Sequence, residues 1–442
     1  MRLMMHHGTL VQRSSDRLGQ ERSKRWIHWL PGRFHRASFT AAVWLAAMSG
    51  GLFHDASAQR AGEEDESSAP TIDAATGKIL NEAIELMNAE DYRGAQEAVG
   101  RLKLDRLSPY ERSRVEQIMF GIAYAQEDYD AARDHLEQAI VAGGLNEQEI
   151  DQVRYQIAQL YMAEERWAEG AEALEQWFET AQSPNSAAYY LLAIAYYQQD
   201  DFEGALAPAE KAVELMERPQ ETWMQLLLAL YLQREQFGDA VPLLERLVTV
   251  APDKKTYWVQ LSSVYGQLED YAKALATMQL AHTAGLLTED AEIRRLADLL
   301  MFNEIPDRGA RVLEDALEKR LVTPDAELYE KLANCWIAAR DYDAAIAPLE
   351  QAAELARDGN LYVRLGEVHS QREDWAAAAA ALESGLARGD LRDTQNAQLL
   401  MGIALLNQER PQEARDWFER ASSSERHSQT ARAYIQLIDA EA

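Results

Sequence analysis

Ten small residues recur along this chain at a nearly constant interval: Ala95, Ala132, Gly170, Ala205, Ala240, Ala274, Gly309, Ala345, Ala378 and Ala414 stand 33 to 38 residues apart. Three residues before each comes a ring or a proline, at Tyr92, Tyr129, Trp167, Phe202, Phe237, Tyr271, Pro306, Tyr342, Trp375 and Pro411. A second small residue precedes most of these by nine positions: Ala158, Ala193, Ser262, Ala297, Ala333, Gly366 and Gly402. This period is the length of a helix-turn-helix pair. A ring at the turn plugs the end of the pair, and small residues let the two helices approach to about 8–10 Å. One pair alone cannot bury its apolar face, so consecutive pairs must stack. The period therefore predicts an all-α fold, an α-solenoid of about ten helix pairs over residues 78–427 forming a superhelix.

Departures from the period carry information as well. Leu228 replaces the small residue in the fifth pair, and in the second pair Gly121 and Tyr124 fall one residue too close to Tyr129, which predicts a local register change or bend. Pro184, Pro219, Pro252 and Pro324 fit the links between pairs, since proline lacks an amide donor and fixes φ. Pro208, Pro242 and Pro348 are expected near the first turn of second helices, where proline is tolerated. Residues 428–442 read as a capping helix with Ala431, Tyr434, Leu437 and Ile438 on its inner face.

The amino-terminal stretch is of another kind. Residues 37–58 have the order of a secretory signal: Arg33 and Arg36, an apolar run, then Ala56-Ser57-Ala58 before Gln59. The run is too short and too rich in Ala and Gly for a bilayer span of about 20 residues. The basic leader before it, 1–36, reads as disordered or as a start codon set too early. Residues 59–77 are acidic and poor in large apolar side chains, and read as an unfolded tether. These features predict a periplasmic protein whose mature chain does not insert into a membrane.

Charge narrows the partners. The chain carries 44 basic and 73 acidic residues, a net of -29. Without residues 1–58 the balance is 36 to 70, a net of -34. Such a surface repels nucleic acid and anionic headgroups and favours cationic partners, although it also serves plain solubility. The one cysteine, Cys335, can form no internal disulfide, so helix packing must supply stability.

Tyr189, Leu192, Ala193, Tyr196, Ala205, Ala209 and Ala212 together resemble the tetratricopeptide pattern. More narrowly, residues 257–268, 305–317 and 332–359 resemble the periplasmic tetratricopeptide proteins encoded with TonB, ExbB and ExbD energy-transduction systems of gammaproteobacteria. Pro306, Gly309, Ala310 and Arg311 match a nonstandard seventh repeat of that family. The resemblance implies a non-catalytic accessory of a TonB complex that energises outer-membrane uptake. It also implies a peptide-binding groove lined by first helices, which on this chain gives Tyr155, Gln159, Tyr190, Ile194, Tyr197, Gln225, Arg294, Asp298, Phe302, Glu330 and Asn334. Tyr155, Tyr190 and Tyr197 are expected to form a connected aromatic strip suited to a proline-rich segment, and acidic neighbours would draw a basic one. A clamp for a terminal carboxylate is disfavoured, because Arg294 is the only clear inward cation after the second repeat.

Nothing in the sequence suggests bond chemistry. His135, His282, His369 and His427 are scattered over distant repeats without the spacing of a metal pair. Cys335 and His369 read as packing residues, and no phosphate loop or nucleophile elbow is present. No enzyme activity, cofactor or metal is expected. The alternative to the TonB reading is an envelope-assembly or chaperone-like adaptor with several clients. Self-assembly through the repeats is a third.

Overall fold

The computed structural model describes residues 71–218 and 220–441. The leader, the signal stretch, most of the acidic tether and Pro219 lie outside the described residues. Every described regular element is helical, and the described residues divide into two compact units, 71–234 and 235–441.

In the first unit four helix pairs follow one another: α1 (Ala74–Asn88) with α2 (Tyr92–Val99), α3 (Pro109–Ala125) with α4 (Tyr129–Val141), α5 (Glu147–Ala163) with α6 (Trp167–Thr180), and α7 (Ser186–Gln198) with α8 (Phe202–Leu215). A ninth helix, α9 (Glu221–Gln233), ends the unit. The second unit opens with α10 (Phe237–Val250) and continues as α11 (Lys255–Gln267) with α12 (Tyr271–Thr283), and α13 (Asp290–Phe302) with α14 (Pro306–Glu318). Three further pairs are α15 (Ala326–Ala338) with α16 (Tyr342–Leu355), α17 (Asn360–Gln371) with α18 (Trp375–Arg388), and α19 (Thr394–Leu406) with α20 (Pro411–Ala421). The last helix, α21 (Glu425–Glu441), packs on the final pair. Each unit is thus an α-solenoid in which a pair touches the next along the chain, as the period requires.

All ten landmark residues are buried, and so are the seven second small residues. Each of the ten rings and prolines is the first residue of its second helix. Between the small residues the pairs are filled by large aliphatic side chains. In α13 to α15, Ile293, Leu296, Leu313 and Leu328 are almost fully enclosed, each contributing about 1.5–3 kcal/mol of transfer free energy.

The turn within each pair uses a device that the apolar period does not reveal. Five residues before every landmark the backbone enters the left-handed region, with φ between 56° and 61°, and none of these residues is glycine: they are Glu90, Glu127, Glu165, Asp200, Glu235, Glu269, Glu304, Arg340, Glu373 and Glu409. Such a residue costs roughly 1–2 kcal/mol. The turn regains it through a helix-ending bond of the Schellman type, for example Asp201 N–H to Tyr196 O at 3.0 Å. In six pairs the following aspartate, Asp91, Asp128, Asp201, Asp270, Asp341 or Asp374, caps the second helix through its side chain. Fifteen of the 73 acidic residues of the chain are thereby placed at turns.

Several expectations need correction. The turn of the second pair keeps the register of the others, with Glu127 at φ 60°. Phe120 simply stands where other repeats have a small residue, with its ring 5.9 Å from Tyr124, so there is no register change. Helix α1 begins at Ala74, capped by Asp73, and thus claims residues 74–77 from the expected tether. Helix α21 begins at Glu425 and not at 428; on it Ile435, Ala431 and Ile438 pack inward, while Leu437 is exposed. Pro208, Pro242 and Pro348 lie in the second turn of their helices, each with at least part of its surface open.

Neighbouring pairs are also stapled by a repeated polar bond. Three residues after the second small position, a ring on the first helix donates to a glutamate on the preceding second helix. Tyr231 reaches Glu210 at 2.9 Å, Tyr265 reaches Glu245 at 2.6 Å, Trp336 Nε1 reaches Glu314 at 3.0 Å, and Tyr196 bonds Glu175 in the same way. Burial and the adjacent carboxylate push the Tyr196 and Tyr265 hydroxyls up to about 12. His369 holds this position in α17. It is buried, as expected of a packing histidine, but it is not satisfied: Nδ1 has no hydrogen-bond partner among the described residues, and Asp374 lies 3.9 Å away.

Candidate functional site

The first helices carry the residues expected to line a groove, and the two units present them differently. In the first unit the emphasis is aromatic. Tyr155 on α5 is half-buried, its ring 4.8 Å from Trp177 of α6, and burial pushes its hydroxyl up to about 12. Gln159, one turn on, hydrogen-bonds that hydroxyl. The rings continue through Phe178 to Tyr189 of α7, at 5.1 and 4.7 Å. Tyr190 turns elsewhere. Its ring stacks on Trp223 of α9, with centroids 4.8 Å apart and planes 21° apart, and its hydroxyl bonds Thr222. Offset stacking of this kind contributes about 0.5–1.5 kcal/mol beyond the area it covers.

The single strip expected of Tyr155, Tyr190 and Tyr197 is therefore not formed. Each ring pairs with a different aromatic side chain, and Tyr197 sits edge-on to Phe202 at 5.6 Å. Burial, with Asp200 nearby, raises the Tyr197 hydroxyl above its ordinary value. Ile194 is not a groove residue: at 3% exposure it belongs to the core between α7 and its neighbours. Gln225 is half-buried on α9 and donates to Glu221 at 3.3 Å. Trp223 was not expected from the repeat pattern, since it lies two positions before the inward Gln225. Only its contact with Tyr190 brings it into the site.

In the second unit the emphasis is charged. Arg294 on α13 is not a free inward cation. It pairs with Asp290 and Asp325 and donates to Thr323 O at 3.1 Å, so it clamps α13 to the link that leads into α15. Phe302 is 53% exposed and rests against Tyr271 at 4.1 Å. Asp298, Glu330 and Asn334 do come together: with Met301, Glu327 and Lys331 they line one concavity between α13 and α15. Lys331 is bound by Asp298, and Asn334 Oδ1 is enclosed without a hydrogen-bond partner among the described residues.

Among the described residues no three His, Cys, Asp or Glu side chains are placed to hold a metal ion. Cys335 is fully buried, and burial pushes its thiol up to about 12, which makes it unreactive. His135 pairs with Glu116 at 2.7 Å, and His427 with Asp393 at 2.9 Å, both as links between helices. No described helix is long and apolar enough to cross a membrane.

Stacked helix pairs of this length, with polar and aromatic side chains on their first helices, define a solenoid of the tetratricopeptide class. A model of the tetratricopeptide repeat matches residues 155–219, 228–285, 294–360 and 363–427, and the chain belongs to that family. Among solved structures, the carboxy-terminal part of a TPR repeat-containing protein from Cytophaga hutchinsonii is similar over 55% of this chain and 98% of its own, at 15% identity and a TM-score of 0.37. YrrB, described as a TPR protein with an unusual peptide-binding site, is similar over 43% of this chain and 97% of its own, at 13% identity and a TM-score of 0.35. The Cut9–Hcn1 hetero-tetramer of APC/C covers 83% of this chain and 96% of the matched one, at 12% identity and a TM-score of 0.30. No curated protein matches the sequence.

Proposed function

We infer that this chain, as a tetratricopeptide array, is a protein-protein interaction scaffold. We propose that it works in the periplasm as a non-catalytic accessory of a TonB, ExbB and ExbD energy-transduction complex, holding an extended, basic and proline-rich segment of a partner. The observation that carries the binding half of this reading is the Tyr190–Trp223 stack, a half-open aromatic ledge spanning two consecutive first helices. A proline-rich backbone is stiff and loses little entropy when it lies on such rings. The signal-like stretch before Gln59, the acidic net charge and the sequence resemblance of residues 257–359 support the periplasmic and TonB half.

The test is in-cell crosslinking of the tagged protein with a photoreactive residue in place of exposed Thr222, beside the ledge. Recovery of TonB, ExbB or ExbD is the expected result. Recovery of many unrelated envelope proteins would instead make the chain a chaperone-like adaptor with several clients.

A further inference from the structure

Residues 101–114 run against the charge of the rest of the chain. They carry five cations, Arg101, Lys103, Arg106, Arg112 and Arg114, against Asp105 and Glu111, whereas the whole chain has a net charge of -29. Arg101 pairs with Glu82 at 2.6 Å, and Arg114 with Glu149. Glu111 is occupied by the backbone donors of Asp73 and Ser108. Lys103, Arg106 and Arg112 are exposed and make no ion pair among the described residues, and Leu104, beside Lys103, is 47% exposed. Like charges gathered on a surface repel, so a counter-charge over them is favoured.

The chain enters the fold at the same place. Asp73 caps α1, and its N–H donates to Glu111 in the first turn of α3 at 3.0 Å, so the amino-terminal ends of both helices, with their positive partial charge, meet here. Ile72, Leu102 and Leu107 pack against one core cluster. Each of the three cations is thus the chain neighbour of a residue that fastens the entry: Lys103 follows Leu102, Arg106 precedes Leu107, and Arg112 follows Glu111. Six residues before Ile72 stands Glu66, the end of the run Glu63-Glu64-Asp65-Glu66, which lies outside the described residues. Six residues span at most about 20 Å. A link that short keeps its end at an effective concentration on the order of millimolar.

We propose that the run Glu63-Glu64-Asp65-Glu66 seats on Lys103, Arg106 and Arg112 of its own chain and covers them. The contact is intramolecular, since no second copy at ordinary concentration competes with a segment held so close. It closes this basic surface to other polyanions, which must displace the run to bind there. The assignment is separate from the aromatic ledge and holds whatever segment lies on those rings.

The experiment treats the chain from Gln59 onward with a carbodiimide, which joins a carboxylate directly to a lysine amine, and identifies the linked peptides by mass spectrometry. A link from the run to Lys103 is expected at low salt, fading at about 0.5 M. The Lys255–Glu289 pair of the second unit serves as internal standard. Arg106→Glu with Arg112→Glu should lower the Lys103 link about fivefold to tenfold. Adding Glu63→Lys, Glu64→Lys, Asp65→Lys and Glu66→Lys to that variant should restore linking, now from the amines of the run to the patch, which a misfolded protein cannot do. Neutralising the run alone, with Glu63→Gln, Glu64→Gln, Asp65→Asn and Glu66→Gln, should let the chain bind fluorescent polyglutamate severalfold more tightly than the parent does. The proposal is overturned if the run links to Lys211 as readily as to Lys103, or if the reversed patch leaves the link unchanged. It falls equally if, in a mixture of isotope-labelled and unlabelled chains, the links join two molecules, or if parent and neutralised chain bind polyglutamate alike.

Discussion

Two glycines of the second unit allow the steric argument for the repeat to be tested with one kind of substitution. Gly366 is the second small residue of α17, and a methyl group added there would lie 2.6 Å from Leu382 Cγ, 3.0 Å from its Cδ2 and 3.2 Å from the carbonyl oxygen of Ala378, the landmark of the facing helix. Gly266, near the end of α11, has nothing within 4 Å of the same added atom. Glycine to alanine within a helix gains about 0.5–1 kcal/mol from lower backbone entropy in the unfolded chain. At Gly266 that gain is the whole effect. At Gly366, Leu382 must leave its rotamer or α17 and α18 must move apart, and overpacking of this kind costs about 1–3 kcal/mol. The expected balance is a loss of about 1–2 kcal/mol for Gly366→Ala and a gain of up to about 1 kcal/mol for Gly266→Ala. Because a repeat array need not unfold in one step, the assay is hydrogen exchange of the α17 and α18 amides beside those of α11 and α12, supported by the urea midpoint. If Gly366→Ala slows exchange as Gly266→Ala does, the site has room, and close helix approach is not the reason for the small residue.

Glu111 joins the first two pairs, its carboxylate accepting from Asp73 N at 3.0 Å and from Ser108 N at 2.9 Å. The backbone donor of Asp73, then that of Ser108, holds this carboxyl below its ordinary 4.5, so the stabilisation is present above that value and is lost as the pH falls through the lower folded one. Glu111→Gln should cost about 1–2 kcal/mol and speed exchange in α1 at neutral pH, and the acid-induced loosening of α1 should then disappear. For the staples, Tyr265→Phe should cost about 1 kcal/mol, since Glu245 can turn to water. The folded Tyr265 hydroxyl titrates near 12 against an ordinary 10, so its contribution is complete below pH 10 and vanishes as the pH rises toward 12. An alkaline unfolding curve that is the same for parent and variant would show that the bond contributes nothing.

How much of this was written in the sequence depends on the range of the interaction. Ala205 and Phe202 announce a helix pair because steric fit within a pair is local and repeats with the chain. The left-handed turn residues were not foreseen, since glutamate has no intrinsic preference for positive φ; they become visible only once the turns are aligned on the landmarks. Asp298, Glu330 and Asn334 were named as inward positions by the family resemblance, and only the structure brings them to one concavity. Ile194 was misplaced for a related reason: register says which way a side chain points, but not whether the next helix covers it. Trp223 and the engagement of Arg294 by Asp290 and Asp325 depend on rotamers and on contacts between repeats, which a periodic pattern does not encode.

The backward bonds from Tyr196, Tyr231, Tyr265 and Trp336 bear on how such a chain can lengthen or shorten over generations. A segment cut from one landmark to the next removes one donor and one acceptor. The residues left at the junction are again a ring and a glutamate in the same register, so gain or loss of a whole repeat by recombination preserves the joint. The donor position is held by Ala123 in α3, His369 in α17, Leu405 in α19 and Leu300 in α13, and at α13 the acceptor is changed as well, to Gln279 of α12. A crossover there would set a tyrosine hydroxyl against glutamine, or leave a glutamate facing leucine. The repeats on either side of that seam are therefore expected to be inherited together, and the charged concavity beside it with them.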